Sequence, residues 1–104
     1  MGIAIAFDDK KHFEQNIKKL LSPCDKYEIA RGEKYHFLVE RNREQWGENC
    51  DTFYIFAVAY GDEQNDNFYM QIDDGGIPFD IIKNDTKKLY NEIMKFIFNA
   101  ILII

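Results

Sequence analysis

The chain has 104 residues, 46% of them hydrophobic and 30% charged, and a net charge of −5. That length supports one hydrophobic core and excludes a two-domain enzyme with an interdomain cleft. The hydrophobic fraction excludes disorder, and no linker, repeat or low-complexity stretch divides the chain.

The apolar start, residues 1–7, has no basic stretch ahead of it and meets Asp8-Asp9 at once, so it does not read as a signal peptide. Ile3, Ile5 and Phe7 alternate and predict a short strand. Over 8–21, Phe13, Ile17, Leu20 and Leu21 share one helical face; Asp8 or Asp9 caps its start, and Ser22-Pro23 ends it because the residue before proline avoids the helical region. Residues 26–31 and 34–40, joined through Gly32-Glu33, predict a hairpin. Tyr35, Phe37 and Val39 take one face, and His36 takes the other beside Leu38 and Glu40. A polar loop, 41–51, carries Trp46 at its middle.

Residues 52–60 are β-branched or aromatic at nearly every position, the pattern of a central strand covered on both faces. After a turn-rich loop, 67–73 alternate, with Phe68, Met70 and Ile72 predicted inward and Tyr69, Gln71 and Asp73 outward. Asp74-Gly75-Gly76 then predicts a hairpin turn into a short edge strand through Ile77, Phe79 and Ile81, since Pro78 lacks an amide donor. Asn84, Asp85 and Thr86 are candidate N-caps for a last helix with the stripe Leu89, Ile93, Phe96, Ile97, Ala100, Ile101 and Ile104. Its apolar run, 93–104, falls short of the roughly 20 residues needed to cross a bilayer. The expected fold class is α+β: one domain over residues 1–104, an antiparallel four- to five-stranded meander flanked by an N-terminal and a C-terminal helix.

Motifs for chemistry are sparse. Cys24 and Cys50 are too few for a disulfide framework and read as free thiols in a cytoplasmic protein. With His36 they lack the close pairing of a structural zinc site. Asp62 to Asp73 has the length of a calcium loop, but Asn67 replaces the required glycine and the strand pattern runs through it. Asp73-Asp74 reads as part of a turn before it reads as a magnesium site. Phosphate-binding glycine loops and a nucleophile elbow are absent from the sequence. His12 reads as a solvated residue, and His36 with nearby carboxylates defines the minority alternative of a small enzyme. No catalytic residue, metal or cofactor is expected.

Charge is more informative. Residues 1–50 carry nine basic and nine acidic side chains, whereas 51–104 carry four and nine. Asp51, Asp62, Glu63, Asp66, Asp73, Asp74, Asp80 and Asp85 face only Lys83 in their stretch. In a meander, Asp51 and the Asp73 turn are expected at one end of the sheet and Asp62, Glu63 and Asp66 at the other. Acidic loops of this kind keep a small protein soluble; they also steer a basic protein partner. Nucleic acid is not expected, because Arg41 and Arg43 beside Trp46 are too few for phosphate binding. Outward Tyr54, Tyr60 and Tyr69 with Trp46 would anchor such an interface. The candidate partner-binding residues are therefore Trp46, Asp62, Glu63, Asp66, Tyr69, Asp73 and Asp74. A homodimer or small subunit that hides the 93–104 stripe is the structural alternative, and no membrane contact is expected.

A short, acidic, motif-free α+β chain with aromatic strands resembles the immunity proteins that neutralise polymorphic bacterial toxins, including those of contact-dependent growth inhibition. Phage-encoded inhibitors of host nucleases are similar in the same general way. The resemblance implies a stoichiometric inhibitor that occludes the active site of one cognate basic toxin domain, often a nuclease. These proteins share no sequence pattern, so it assigns no residue.

Overall fold

Strand β4 (Thr52–Ala59) is the hub of the sheet in the computed structural model, which describes residues 5–20, 25–42 and 51–103. It pairs antiparallel along its whole length with β3 (Tyr35–Asn42), from Tyr35 opposite Ala59 to Asn42 opposite Thr52. Strand β2 (Lys26–Arg31) lies beyond β3, and β1 (Ala6–Phe7) is hydrogen-bonded to the last two residues of β2. The other edge of β4 receives β5 (Met70–Gln71) near Phe56 and β6 (Ile77–Pro78) near Phe53. All pairings are antiparallel, so the α+β meander with a short N-terminal and a long C-terminal helix is the fold. Cys24, Arg43, Trp46 and Cys50 lie outside the described residues.

Both helices cover one face of the sheet. Helix α1 (Lys10–Ile17) begins where the Asp9 carboxylate accepts the His12 N–H at 2.8 Å, and it is shorter than the periodicity implied. Residues 18–20 continue only as turns, although Leu20 still reaches the interior. Helix α2 (Thr86–Ile103) is capped by Asp85, whose carboxylate accepts from the N–H groups of Lys87 and Lys88. Phe13 and Ile17 of α1 and Leu89, Ile93 and Ile97 of α2 pack on Ile29, Phe37, Val39, Phe53, Ile55 and Ala57. Full burial of each such side chain contributes about 1.5–3 kcal/mol, which makes this layer the main source of stability. The apolar stripe of α2 is thus spent largely within the chain, while Phe98 and Leu102, off its centre, remain exposed. Arg41 lies at the rim of the core, with Asp51 at 2.5 Å and the Ile17 carbonyl at 3.2 Å; its guanidinium stacks over Phe53 and Phe79. It closes the end of α1.

The segment after β5 departs from the expected hairpin. Strands β5 and β6 do not pair with each other; they run the same way, one after the other, along a single edge of β4. Residues 73–76 are therefore an outward bulge in an interrupted edge strand, and Asp73 sits beside Ile55 in mid-strand, away from Asp51. The final strand also ends early: Phe79 donates once more to Asp51, and Ile81 is exposed. Gly75 and Gly76 have φ of 80° and 95°, and a Cβ on Gly76 would lie 2.7 Å from Thr52 and 2.8 Å from the Tyr54 ring. Gly76→Ala is expected to destabilise the protein by about 1–3 kcal/mol in chemical denaturation, from backbone strain and this clash together. Gly75→Ala, with open space around it, should cost less.

Candidate functional site

The outer face of the sheet, opposite the helices, is crossed by the loop 60–69. Two irregularities build this arrangement. The first is a bulge at Ile29, where the β2–β3 register shifts between Glu28 and Ala30. Side chains three apart on a regular strand point to opposite faces; the extra residue returns Glu28 and Arg31 to the same one. Both then face His36, with Arg31 directly opposite it in the register. The second is Gly61, whose φ of 96° turns the chain back over the sheet as soon as β4 ends.

The loop is pinned at three points. Tyr60 lays its ring over the His36 imidazole, with centroids 4.2 Å apart, and donates its hydroxyl to the Gly32 carbonyl at 2.6 Å. Glu63 reaches His36 Nε2 at 2.6 Å with one carboxylate oxygen and accepts the Gly61 N–H at 2.9 Å with the other. Tyr69 packs edge-on against Phe56, and its hydroxyl donates to the Glu63 carbonyl at 2.7 Å. The Lys26 ammonium stands 5.2 Å over the Tyr69 ring. Beneath this cover Val58 is fully buried on the outer face, so β4 is enclosed on both sides, as its composition predicted.

At the centre, His36 Nδ1 meets Glu28 at 2.7 Å, and Glu28 also accepts from Arg31 Nε at 2.7 Å. Burial raises the Glu28 pKa, but the hydrogen bonds from His36 and Arg31 outweigh it and hold the carboxyl below its ordinary range. Glu63 is lowered as well, by its own backbone N–H first, then by His36 and by Gly61. Glu40 is pushed up by burial, which Lys26 opposes and Asp66 reinforces.

No protein-family model, curated protein or solved structure matches the chain.

Among the sequence candidates, Asp62, Asp66 and Asp74 have carboxylates with no hydrogen bond or ion pair among the described residues, and Asp66 and Asp74 are exposed. Glu63 is committed to His36. Asp73 is committed to the edge strand, where its carboxylate accepts from the N–H of Ile55 at 2.7 Å, the Gln71 side chain at 2.7 Å and the N–H of Gly76 at 2.6 Å. Asp51 pairs with Arg41, and Asp85 caps α2. Trp46 is outside the described residues.

The alternation expected over 67–73 is reversed in its first half. A 3₁₀ turn at Asp66–Phe68, capped by the Asn65 side chain, rotates the chain before β5. Tyr69 is consequently half-buried, and Phe68 is 58% and Met70 40% exposed. Neither was a sequence candidate. The signal was the run Asn65-Asp66-Asn67, whose side chains favour local turns over strand. His36, Glu28 and Arg31 gave no such signal, because their meeting depends on the bulge.

His36 lines neither of two surface grooves found among the described residues. The larger, of about 620 Å³, runs between α1 and β2 past Asp8, His12, Asn16 and Tyr27. Both His36 ring nitrogens are occupied by carboxylates, so the ring has no free position to take or give a proton to a bound molecule. Its chemistry is that of a bridge between sheet and loop. No helix among the described residues is long and apolar enough to cross a membrane.

Proposed function

We propose that the protein is an immunity-type inhibitor that binds a basic bacterial toxin domain, a nuclease by charge, and occludes its active site with loop 60–69 and the adjoining edge bulge. The observation that carries this reading is the make-up of that loop and the strand it leads into. Tyr60, Phe68 and Met70, 43%, 58% and 40% exposed, lie along it, interleaved with Asp62 and Asp66, and Asp74 follows on the bulge. Large apolar side chains held at the surface are what interface cores use, and aromatic residues and methionine are enriched there. Uncompensated carboxylates around them suit a partner whose own cleft is built for phosphate. The three pins described above support the same reading, because a loop ordered before binding loses little entropy on association.

The test is inhibition. The full chain is mixed with the basic C-terminal domain of the secreted protein encoded directly upstream of its gene, and nuclease turnover is followed as the ratio rises. A one-to-one endpoint with loss of cleavage is expected. Undiminished cleavage at excess inhibitor, or an upstream gene for a metabolic enzyme, would overturn the proposal.

A further inference from the structure

We propose that the groove between α1 and β2 is a second binding site, which takes an extended acidic segment of another protein as an added strand on the open edge of β2. It lies at the β1 edge of the sheet, across from β5 and β6, so it stands or falls independently of the proposed inhibition.

The opening follows from the way the chain leaves β1. Asp9 caps α1, so the chain turns off the sheet once the Asp8 N–H has donated to the Ile29 carbonyl at 2.9 Å. Strand β1 therefore pairs only with Ala30 and Arg31, and no strand among the described residues pairs with the open edge of Lys26, Tyr27 and Glu28. On their other side these three keep an unbroken register with Glu40, Val39 and Leu38 of β3. Residues of an antiparallel strand turn their N–H and C=O alternately to one neighbour and the other, so at least one of the three presents both groups to the open edge. Such an edge is a template for a further strand. The groove beside it, of about 620 Å³, falls within the range of ligand clefts, and its opposite wall is His12 and Asn16 of α1 with Lys19 and Leu20 of the turn that follows.

Charge decides the occupant. Lys19, Lys26 and Arg31 line the groove against Asp8 and Glu28. Both carboxylates are engaged already, Asp8 by the His12 ring at 2.8 Å and Glu28 by Arg31 and His36. Lys19 has no carboxylate within ion-pair distance among the described residues, and Lys26 has only Glu40, at 3.9 Å. The groove is thus cationic in a chain whose net charge is −5, and it suits acidic side chains. A second copy paired through the same edge would set these cations against themselves. Lys26 and Arg31 stand on the outer face of the sheet; Tyr27 stands on the helix face, its ring 6.1 Å from that of Phe13. The added strand is therefore one that alternates, with acidic side chains on the outer face and apolar ones toward Tyr27 and Leu20.

The test uses the full chain and a capped peptide of about seven residues alternating valine and glutamate, with lysine replacing glutamate in the control, followed by NMR at low salt. One-to-one binding is expected to shift the amides of Lys26, Tyr27 and Glu28, and at least one of them should exchange about tenfold more slowly, the scale of one hydrogen bond. The lysine peptide should bind at least about tenfold more weakly. Methylating the peptide nitrogens of the valines alone, or of the glutamates alone, separates strand addition from charge attraction. Only one set faces β2, so one methylated peptide should lose at least about tenfold in affinity while the other keeps its own. Lys19→Glu, at an exposed position, should weaken the glutamate peptide about three- to tenfold. No shift at millimolar peptide, equal affinity for the two methylated peptides, or equal binding of the lysine peptide would overturn the proposal. So would a chain that dimerises alone with these amides protected, which would assign the edge to a second copy.

Discussion

Replacing Asp73 by alanine is expected to lower the folding free energy by about 3 kcal/mol, whereas Asp74→Ala next to it should change stability by less than about 0.5 kcal/mol. The contrast follows from the gap between β5 and β6. Where the edge strand bulges away from β4, the N–H of Ile55 would lose its ladder partner, and Ile55 is fully buried. The Asp73 carboxylate fills that gap and at the same time fixes Gln71 and Gly76, the two ends of the bulge. Alanine removes three charge-assisted hydrogen bonds and leaves a buried donor unsatisfied, and an unpaired buried N–H alone costs about 1–3 kcal/mol. Asp73→Asn, which keeps one acceptor oxygen, should fall between. Urea denaturation at neutral pH reads all three as shifts in midpoint at unchanged slope. Equal stability for Asp73→Ala and Asp74→Ala would remove Asp73 from the architecture of the edge.

Reversing Asp62, Asp66 and Asp74 together to lysine should slow association with the toxin domain by about 10- to 100-fold at low ionic strength, with the difference shrinking as salt is raised. These three are chosen because their carboxylates bond to nothing among the described residues, so the fold should survive their reversal. Glu63 and Asp73 are unsuitable despite their charge, since one holds His36 and the other holds β4. Phe68→Ala gives the complementary result: an unchanged association rate and a dissociation rate raised by at least about tenfold, because an apolar anchor acts after contact. Stopped-flow measurements at two salt concentrations separate the two effects. Association of the triple variant at the wild-type rate would defeat the electrostatic argument, and an unaffected Phe68→Ala would move the contact surface elsewhere.

The same residues show how far reading the chain could go. The stretch 52–60 announced a doubly covered strand through composition alone, and the structure covers it with helices on one side and loop 60–69 on the other. Caps at Asp8 or Asp9 and among Asn84, Asp85 and Thr86 were legible because capping depends on residues a few positions away, and the fold uses Asp9 and Asp85. Asp73-Asp74-Gly75-Gly76 misled for the converse reason. Its turn chemistry is real, with two glycines at positive φ, but whether a turn reverses a chain or bulges from it is decided by the strand beside it. The outward placement of Tyr69 failed because a single 3₁₀ turn rotates the chain, and alternation has no tolerance for one inserted residue.

By itself the sequence determined the class of fold, the two helices, the central strand and the location of the excess negative charge, all of which follow from local periodicity and composition. Which carboxylates remain available was decided only by tertiary structure: of the eight acidic residues between 51 and 85, Asp51, Glu63, Asp73 and Asp85 are taken up by Arg41, His36, the β4 edge and a helix N-terminus. The assembly of Glu28, Arg31, His36 and Glu63 belongs to the same category, since it joins residues 8 and 27 positions apart through a bulge and a glycine turn. Charge is a property of a residue, but a free charge is a property of its neighbours, and those are set by long-range pairing.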